Sequence, residues 1–145
     1  MTQENKTILV GALERCNLPD LGITNLVIRV DTGAATSSLH VENVKEYKEK
    51  NETWIKFDIH PDVYDVEKVT RHKAKLLARR KVKSSTATLE RRYVIETTFE
   101  IGDASWPIHI TLTDRSEMTY MMLLGREAMQ SKVIVDPSQE FIFSC

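Results

Sequence analysis

Along this chain short apolar runs alternate with charged stretches, and the period of the alternation is almost everywhere two. Trp106, Ile108, Ile110 and Leu112 interleave strictly with Pro107, His109 and Thr111, which predicts a strand with one buried face. Trp54, Ile55, Phe57 and Ile59 around Lys56 and Asp58 predict a second, half-buried strand ended by Pro61. Val27, Ile28 and Val30 form a β-branched run that reads as a core strand entering Asp31. Ile8, Val10, Ala12 and Leu13 predict an opening strand over residues 7–13, turned by Leu18-Pro19-Asp20-Leu21-Gly22. Residues 75–83 and 89–101 read as the arms of a hairpin joined through residues 84–88, with Gly102-Asp103 as the next turn. Val133-Ile134-Val135 and Phe141-Ile142-Phe143 predict two short strands around Asp136-Pro137, and Met122-Leu123-Leu124-Gly125 predicts a strand followed by a short helical start at Arg126. Two segments stay open: Val41, Val44 and Tyr47 fit either an exposed strand or a loose helical turn, and residues 62–67 have no clear period. Many short strands and little helical periodicity predict an all-β, mainly β fold, a closed barrel with a short helix after Gly125.

A chain of 145 residues has the length of one domain with a real core, so residues 1–145 are expected to form a single unit. Twenty Lys and Arg against 21 Asp and Glu leave a net charge of -1, which argues against disorder and against DNA as a partner. The opening Met-Thr-Gln-Glu-Asn-Lys-Thr has no basic segment leading into an apolar one, and no apolar run reaches the length of a membrane span, so a cytoplasmic protein without membrane contact is expected. Cys16 and Cys145 are too few for a disulfide framework or a metal cluster and read as plain thiols of a reducing compartment. The charge is uneven, however. Arg71, Lys73, Lys75, Arg79, Arg80, Lys81, Lys83, Arg91 and Arg92 meet only Glu90 within residues 71–92. Such a stripe attracts an acidic peptide, and is equally what a solvated strand face or a contact with RNA phosphate looks like.

Asp31-Thr32-Gly33-Ala34 places a carboxylate at a strand end, in a turn that Gly33 permits. By itself that is also the signature of an ordinary turn aspartate with its Asx bond. Coupled with the downstream apolar-apolar-Gly-Arg segment at 123–126, it resembles the retropepsin-like aspartic proteases. The stretches 18–22, 31–40, 91–96, 105–107 and 122–129 are similar to a bacterial family within that group, labelled ATP-dependent zinc proteases, that sits beside the ligase adding glutamates to a small-subunit ribosomal protein. The resemblance implies a retropepsin-like barrel, a hairpin flap over the substrate whose tip here holds Thr86 and Ala87 where relatives tend to place Gly, and Asp31, Thr32 and Gly33 as the catalytic turn.

Aspartic hydrolysis needs two carboxylates sharing a proton, one acting as general base on water and one protonating the carbonyl oxygen. The chain holds one Asp-Thr-Gly, and Asp136 lacks its context. A homodimer in which each copy contributes Asp31 is therefore expected, with Thr32, by resemblance, bonding across the two-fold axis. Ala34 brings no hydroxyl to the dyad, which favours work near neutral pH. Ala34, Arg80, Lys83, Arg91, Arg92 and Arg126 are the expected substrate-binding residues. Retroviral relatives pair the arginine of this segment with an Asp two positions after Asp-Thr-Gly; here that position is Ala35, so Arg126 either finds another carboxylate or stays available to a ligand.

The expected substrate is an acidic peptide, by resemblance an α-linked oligoglutamate tail on a ribosomal protein, with a glutamate ligase as a further partner. His40, His60, His72 and His109 are scattered, with no His-Glu-x-x-His pair, and there is no Gly-Lys-Ser or Gly-Lys-Thr loop. No metal, ATP or other cofactor is expected, with His40 the histidine nearest the catalytic turn. Two other readings remain: a non-catalytic acidic-peptide-binding module on the same barrel, and a zinc-dependent hydrolase.

Overall fold

In the computed structural model, residues 7–59, 69–83, 89–114 and 119–144 are described. The strands are β1 (Ile8–Val10), β2 (Leu13–Leu18), β3 (Ile23–Val30), β4 (Ser37–His40), β5 (Glu42–Glu49), β6 (Glu52–Ile59), β7 (Thr70–Lys75), β8 (Ala78–Lys83), β9 (Leu89–Ile101), β10 (Ala104–Thr113), β11 (Met122–Leu124) and β12 (Val133–Val135). A single-turn helix α1 (Arg126–Met129) follows Gly125, and a 3-10 turn (Pro19–Leu21) joins β2 to β3. Strands β10, β4, β11, β3, β2 and β9 pair in that order, and β9 pairs with β10 to close the barrel. Strands β5, β6 and β7 form a separate antiparallel sheet, and β1 pairs in parallel with β12.

The period of two explains the core. Trp106, Ile108, Ile110 and Leu112 of β10 all point inward, as do Ile95, Phe99 and Ile101 of β9, and the Phe99 and Trp106 rings meet at 5.2 Å between centroids. The Trp106 indole N–H donates to the Ala128 carbonyl at 2.9 Å, which fastens α1 to the barrel wall. Strand β9 outruns the barrel: residues 93–101 pair with β10, while its first residues, 89–94, pair with β8 in a hairpin that projects past the wall.

Several boundaries differ from the sequence expectation, each for a physical reason. The opening strand breaks at Gly11, where a Cβ would lie 2.5 Å from the Gln139 carbonyl oxygen. Residues 13–18 then form β2, whose inward positions are Glu14, Cys16 and Leu18, so a buried carboxylate interrupts the apolar rhythm. Lys75 ends β7 instead of opening the hairpin, and β7 is polar on both faces. Residues 41–47 resolve as Val41 leading into the exposed strand β5.

Phe141-Ile142-Phe143 is not a strand. Its backbone is drawn onto Glu14, which is fully buried and accepts the N–H groups of Gly11 (2.8 Å), Ile142 (3.0 Å), Phe143 (3.2 Å) and Ser144 (3.0 Å) together with the Ser144 hydroxyl. Pro61, residues 62–67, Thr86, Ala87, His60 and Cys145 lie outside the described residues. Among the described residues no helix is long and apolar enough to cross a membrane.

Candidate active site

Asp31 leaves the end of β3 with its N–H bonded to the Leu124 carbonyl at 2.9 Å. Strand β11 lies between β3, to which it is parallel with Leu124 beside Val30, and β4, to which it is antiparallel. The loop of residues 31–36 that joins β3 to β4 must therefore pass over the end of β11, and Gly125 sits directly beneath it. A Cβ on Gly125 would lie 2.6 Å from the Thr36 carbonyl carbon and oxygen. The glycine is required by this close approach, since its φ of -94° is open to any residue.

The first amides of a helix have no acceptor inside it, and here the loop supplies them. Arg126 N–H donates to the Ala34 carbonyl (2.8 Å) and Glu127 N–H to the Ala35 carbonyl (3.0 Å), while the buried Gly125 N–H donates to the Ser37 hydroxyl (2.9 Å). Ser37 in turn accepts the Thr111 hydroxyl on its own carbonyl at 2.9 Å. The Arg126 guanidinium closes the clamp on the Thr32 carbonyl at 2.9 Å. With its backbone pinned at Thr32, Ala34, Ala35 and Ser37, the loop holds the half-buried Asp31 at one orientation. Asp31 Oδ1 accepts the Gly33 N–H at 2.9 Å, and among the described residues Oδ2 meets no donor. Gly33 does not have a positive φ; a Cβ there would come within 3.2 Å of Asp31 Oδ1, so the glycine makes room for the carboxylate instead of permitting a left-handed turn.

The expected substrate-binding residues divide. Arg126 is exposed and, among the described residues, has no carboxylate; the Thr32 carbonyl takes its place. Ala34 contributes its backbone to the clamp. Arg80 and Arg92 oppose each other across β8 and β9, on the face that turns to α1, and Arg80 Nη1 donates to Glu127 Oε1 at 2.8 Å. Arg91 opposes Lys81 one position away, hence on the other face of the hairpin, and is not gathered with them. The Lys83 side chain lies outside the described residues.

The basic stripe is also less bare than its sequence suggests. Among the described residues, six of its cations meet carboxylates: Arg71 with Asp58, Lys73 with Glu49, Lys75 with Glu52, Arg79 with Glu46, Arg80 with Glu127 and Arg92 with Glu90. Arg71, Lys73 and Lys75 belong to the separate sheet of β5 to β7.

The three described histidines do not converge. His40 is buried at the far end of β4 from Asp31, 3.4 Å from Glu42, and the exposed His109 lies 3.4 Å from Glu96. His72 Nε2 shares a hydrogen bond of 2.7 Å with the Thr70 hydroxyl. Burial pushes the His72 imidazole below its ordinary value, with Asp58 pulling the other way. Among the described residues no three His, Cys, Asp or Glu side chains gather closely enough to hold a metal ion. Asp136 is occupied in its own turn, where the Ser138 hydroxyl, the Gln139 amide and the Ser138 N–H hold its carboxyl below the usual range. Sequence reasoning did not single out Ser37 or give Glu127 a role. Ser37 carried no signal beyond being a small hydroxyl after the turn, and Glu127, too near Arg126 to pair with it, meets an arginine 47 positions away.

This geometry has counterparts. The family described as "Retropepsin-like aspartic endopeptidase RimB" matches residues 9–144. A protein of Shewanella halifaxensis named "Probable alpha-L-glutamate ligase" is 43% identical over 138 residues, and one of the same name from Parasynechococcus marenigrum is 46% identical over 132. These alignments take in 95% and 91% of this chain but 30% and 28% of those proteins, so the chain spans under a third of the length of the curated relatives it matches. A crystal structure of a Legionella pneumophila protein of unknown function superposes with a TM-score of 0.79 at 27% identity, covering 95% of this chain and 99% of that one.

Proposed function

This chain belongs to the RimB-like family of retropepsin-like aspartic endopeptidases, and from that premise we propose that it is a cytoplasmic, homodimeric aspartic peptidase that hydrolyses an acidic peptide, an α-linked oligoglutamate tail on a ribosomal protein. The observation that carries the reading is the Asp31 loop, clamped through its carbonyls by Arg126 and Glu127 and through the Ser37 hydroxyl by Gly125, while Asp31 Oδ2 stays open. One carboxylate cannot be both base and acid in the same step, so the second comes from Asp31 of another copy. The ionised Asp31 takes a proton from water, whose oxygen adds to the peptide carbonyl. The protonated one gives its proton to that carbonyl oxygen, and collapse of the tetrahedral adduct returns a proton to the departing nitrogen. The acidic substrate is supported by Arg126, which holds the loop at Thr32, by Arg80 of the hairpin, which reaches Glu127 of α1, and by the ligase names of the longer relatives, in which a segment like this one shares a chain with more than twice its length of other sequence. An activity that forms α-glutamyl bonds is naturally accompanied by one that cuts them.

The test is hydrolysis of a short α-linked oligoglutamate at neutral pH by wild type and Asp31→Asn, with and without EDTA. Cleavage should survive EDTA and fall roughly a hundred- to ten-thousandfold in the variant. Cleavage that is lost with EDTA and indifferent to Asp31 would replace this reading with a zinc hydrolase, and full activity in a species sedimenting as a monomer would remove the shared dyad. A second reading, a binding module without turnover, is favoured by the Gly33 N–H on Asp31 Oδ1, the bond any turn aspartate makes; tight binding without cleavage would establish it.

A further inference from the structure

Two arginines face each other on the inner side of the hairpin, an arrangement that costs stability unless something answers the charge. Arg92, only 7% exposed, is met by Glu90 through Nε at 3.3 Å. Arg80 is answered from outside the hairpin altogether, by Glu127 of α1 at 2.8 Å. Glu127 is also the residue whose N–H holds the Ala35 carbonyl, one position after the arginine that holds Thr32. The side chain that neutralises Arg80 therefore rises from the same backbone that fixes the Asp31 loop. The pair stays within reach of solvent, with the Arg80 side chain 35% and the Glu127 side chain 50% exposed.

We propose that Glu127 is a built-in stand-in for a substrate carboxylate: it occupies Arg80 until a glutamate side chain of the substrate takes its place, which makes Arg80 the residue that reads acidity and Glu127 the residue that sets how much acidity is needed. The proposal rests on the acidic-peptide reading above. Exchanging one exposed carboxylate for another on the same guanidinium is nearly balanced, so a glutamate side chain enters at little cost. A neutral side chain offers Arg80 at most an uncharged acceptor, weaker than a carboxylate, and leaves the pair in place. The cost of competition is that of one exposed ion pair, which corresponds to roughly a two- to fivefold change in apparent affinity.

The experiment compares KM and kcat for an α-linked oligoglutamate and an oligoglutamine of equal length in wild type, Glu127→Gln, Arg80→Gln and the double variant. Glu127→Gln should lower KM for oligoglutamate about two- to fivefold, lower the ratio of its KM to that of oligoglutamine by a similar factor, and lose the gain at high salt. Arg80→Gln, which removes the guanidinium that both carboxylates compete for, should leave that KM within about twofold of wild type and roughly two- to fivefold above that of Glu127→Gln. In the Arg80→Gln background the Glu127 substitution should do nothing, and Glu127→Asp should restore part of the wild-type KM. A rise in KM for oligoglutamate with Glu127→Gln, an equal shift for both peptides, or additive effects in the double variant would overturn the proposal. Were wild type to cleave neither peptide, the functional reading would fall, and calorimetric binding of oligoglutamate would decide the competition separately: tighter binding to Glu127→Gln supports it, unchanged or absent binding rejects it.

Discussion

Glu14 and Glu127 each hold a distant segment of the chain, and they do so in opposite ways. Glu14 lies fully buried and gathers four backbone N–H groups and a hydroxyl, so the C-terminal segment of residues 139–144 is strapped along β2. Glu127 stands half in solvent and holds the hairpin through one guanidinium. A charge taken out of water must be met on nearly all its lone pairs or it does not stay charged, and once so met it is costly to remove. A charge left at the surface gains little from its partner and can exchange it. The first arrangement suits a permanent fastening and the second a contact that a ligand replaces.

The largest effect that would break this contrast is expected from Glu14→Ala, which leaves the N–H groups of Gly11, Ile142, Phe143 and Ser144 without their acceptor. We expect a loss of about 3–5 kcal/mol and a fall in Tm of roughly 10 °C or more in thermal unfolding; a fall of only a degree or two would show that the strap does not depend on this carboxylate.

Acid should reveal the same anchor. Burial alone would raise the Glu14 carboxyl, but the Ser144 hydroxyl and the N–H groups of Gly11, Ser144 and Phe143 outweigh it and hold the value below the ordinary 4.5. The unfolded chain then takes up the proton at a higher pH than the folded one. The stabilisation is therefore complete above about pH 4.5 and is lost as pH falls through the lower folded value. Denaturant midpoints measured against pH should decline in that window for wild type and be flatter for Glu14→Gln.

A smaller effect belongs to the exposed side of the comparison. Arg79→Ala, which removes the surface pair with Glu46, should lower Tm far less than Glu14→Ala does. Hydrogen exchange in β8 should quicken with added salt, while the amides bound to Glu14 should not respond. The smallest readout is chemical. Cys16 is buried on β2, beside the cleft lined by Phe143 and Ser144, and burial pushes its thiol up to about 12. With Cys145 replaced by Ser in both proteins, a thiol reagent at neutral pH should barely label the otherwise wild-type chain and should label Glu14→Ala readily; equal protection in both would mean that the strap does not cover it.

How much of this was legible beforehand depended on what each segment is made of. Strands β3, β6 and β10 show themselves because most of their buried positions are apolar and those residues recur with a period of two. Strand β2 did not, since one of its inward residues is Glu14, and β7 did not because Thr-Arg-His-Lys-Ala-Lys is polar on both faces. The end of the chain looked like a strand for its Phe-Ile-Phe pattern, whereas a carboxylate 128 to 130 positions earlier claims its amides. At the site, Asp31 and its turn were readable as local chain geometry. The partner of Arg126 was not, nor was the use of Ser37, 88 positions from the Gly125 amide it accepts.

A mainly β chain, the strand that ends at Asp31, the glycine and short helix at 125–129 and the local surplus of cations all follow from spacing and residue type within a few positions. Which carboxylate answers which cation, and which carbonyls hold the loop, follows from the packing of strands distant in the chain. A count of nine cations says nothing of partners, for pairing depends on which strands come to lie side by side. Closing the barrel brought α1 beneath the Asp31 loop and within reach of the hairpin, and so gave Arg80 its carboxylate.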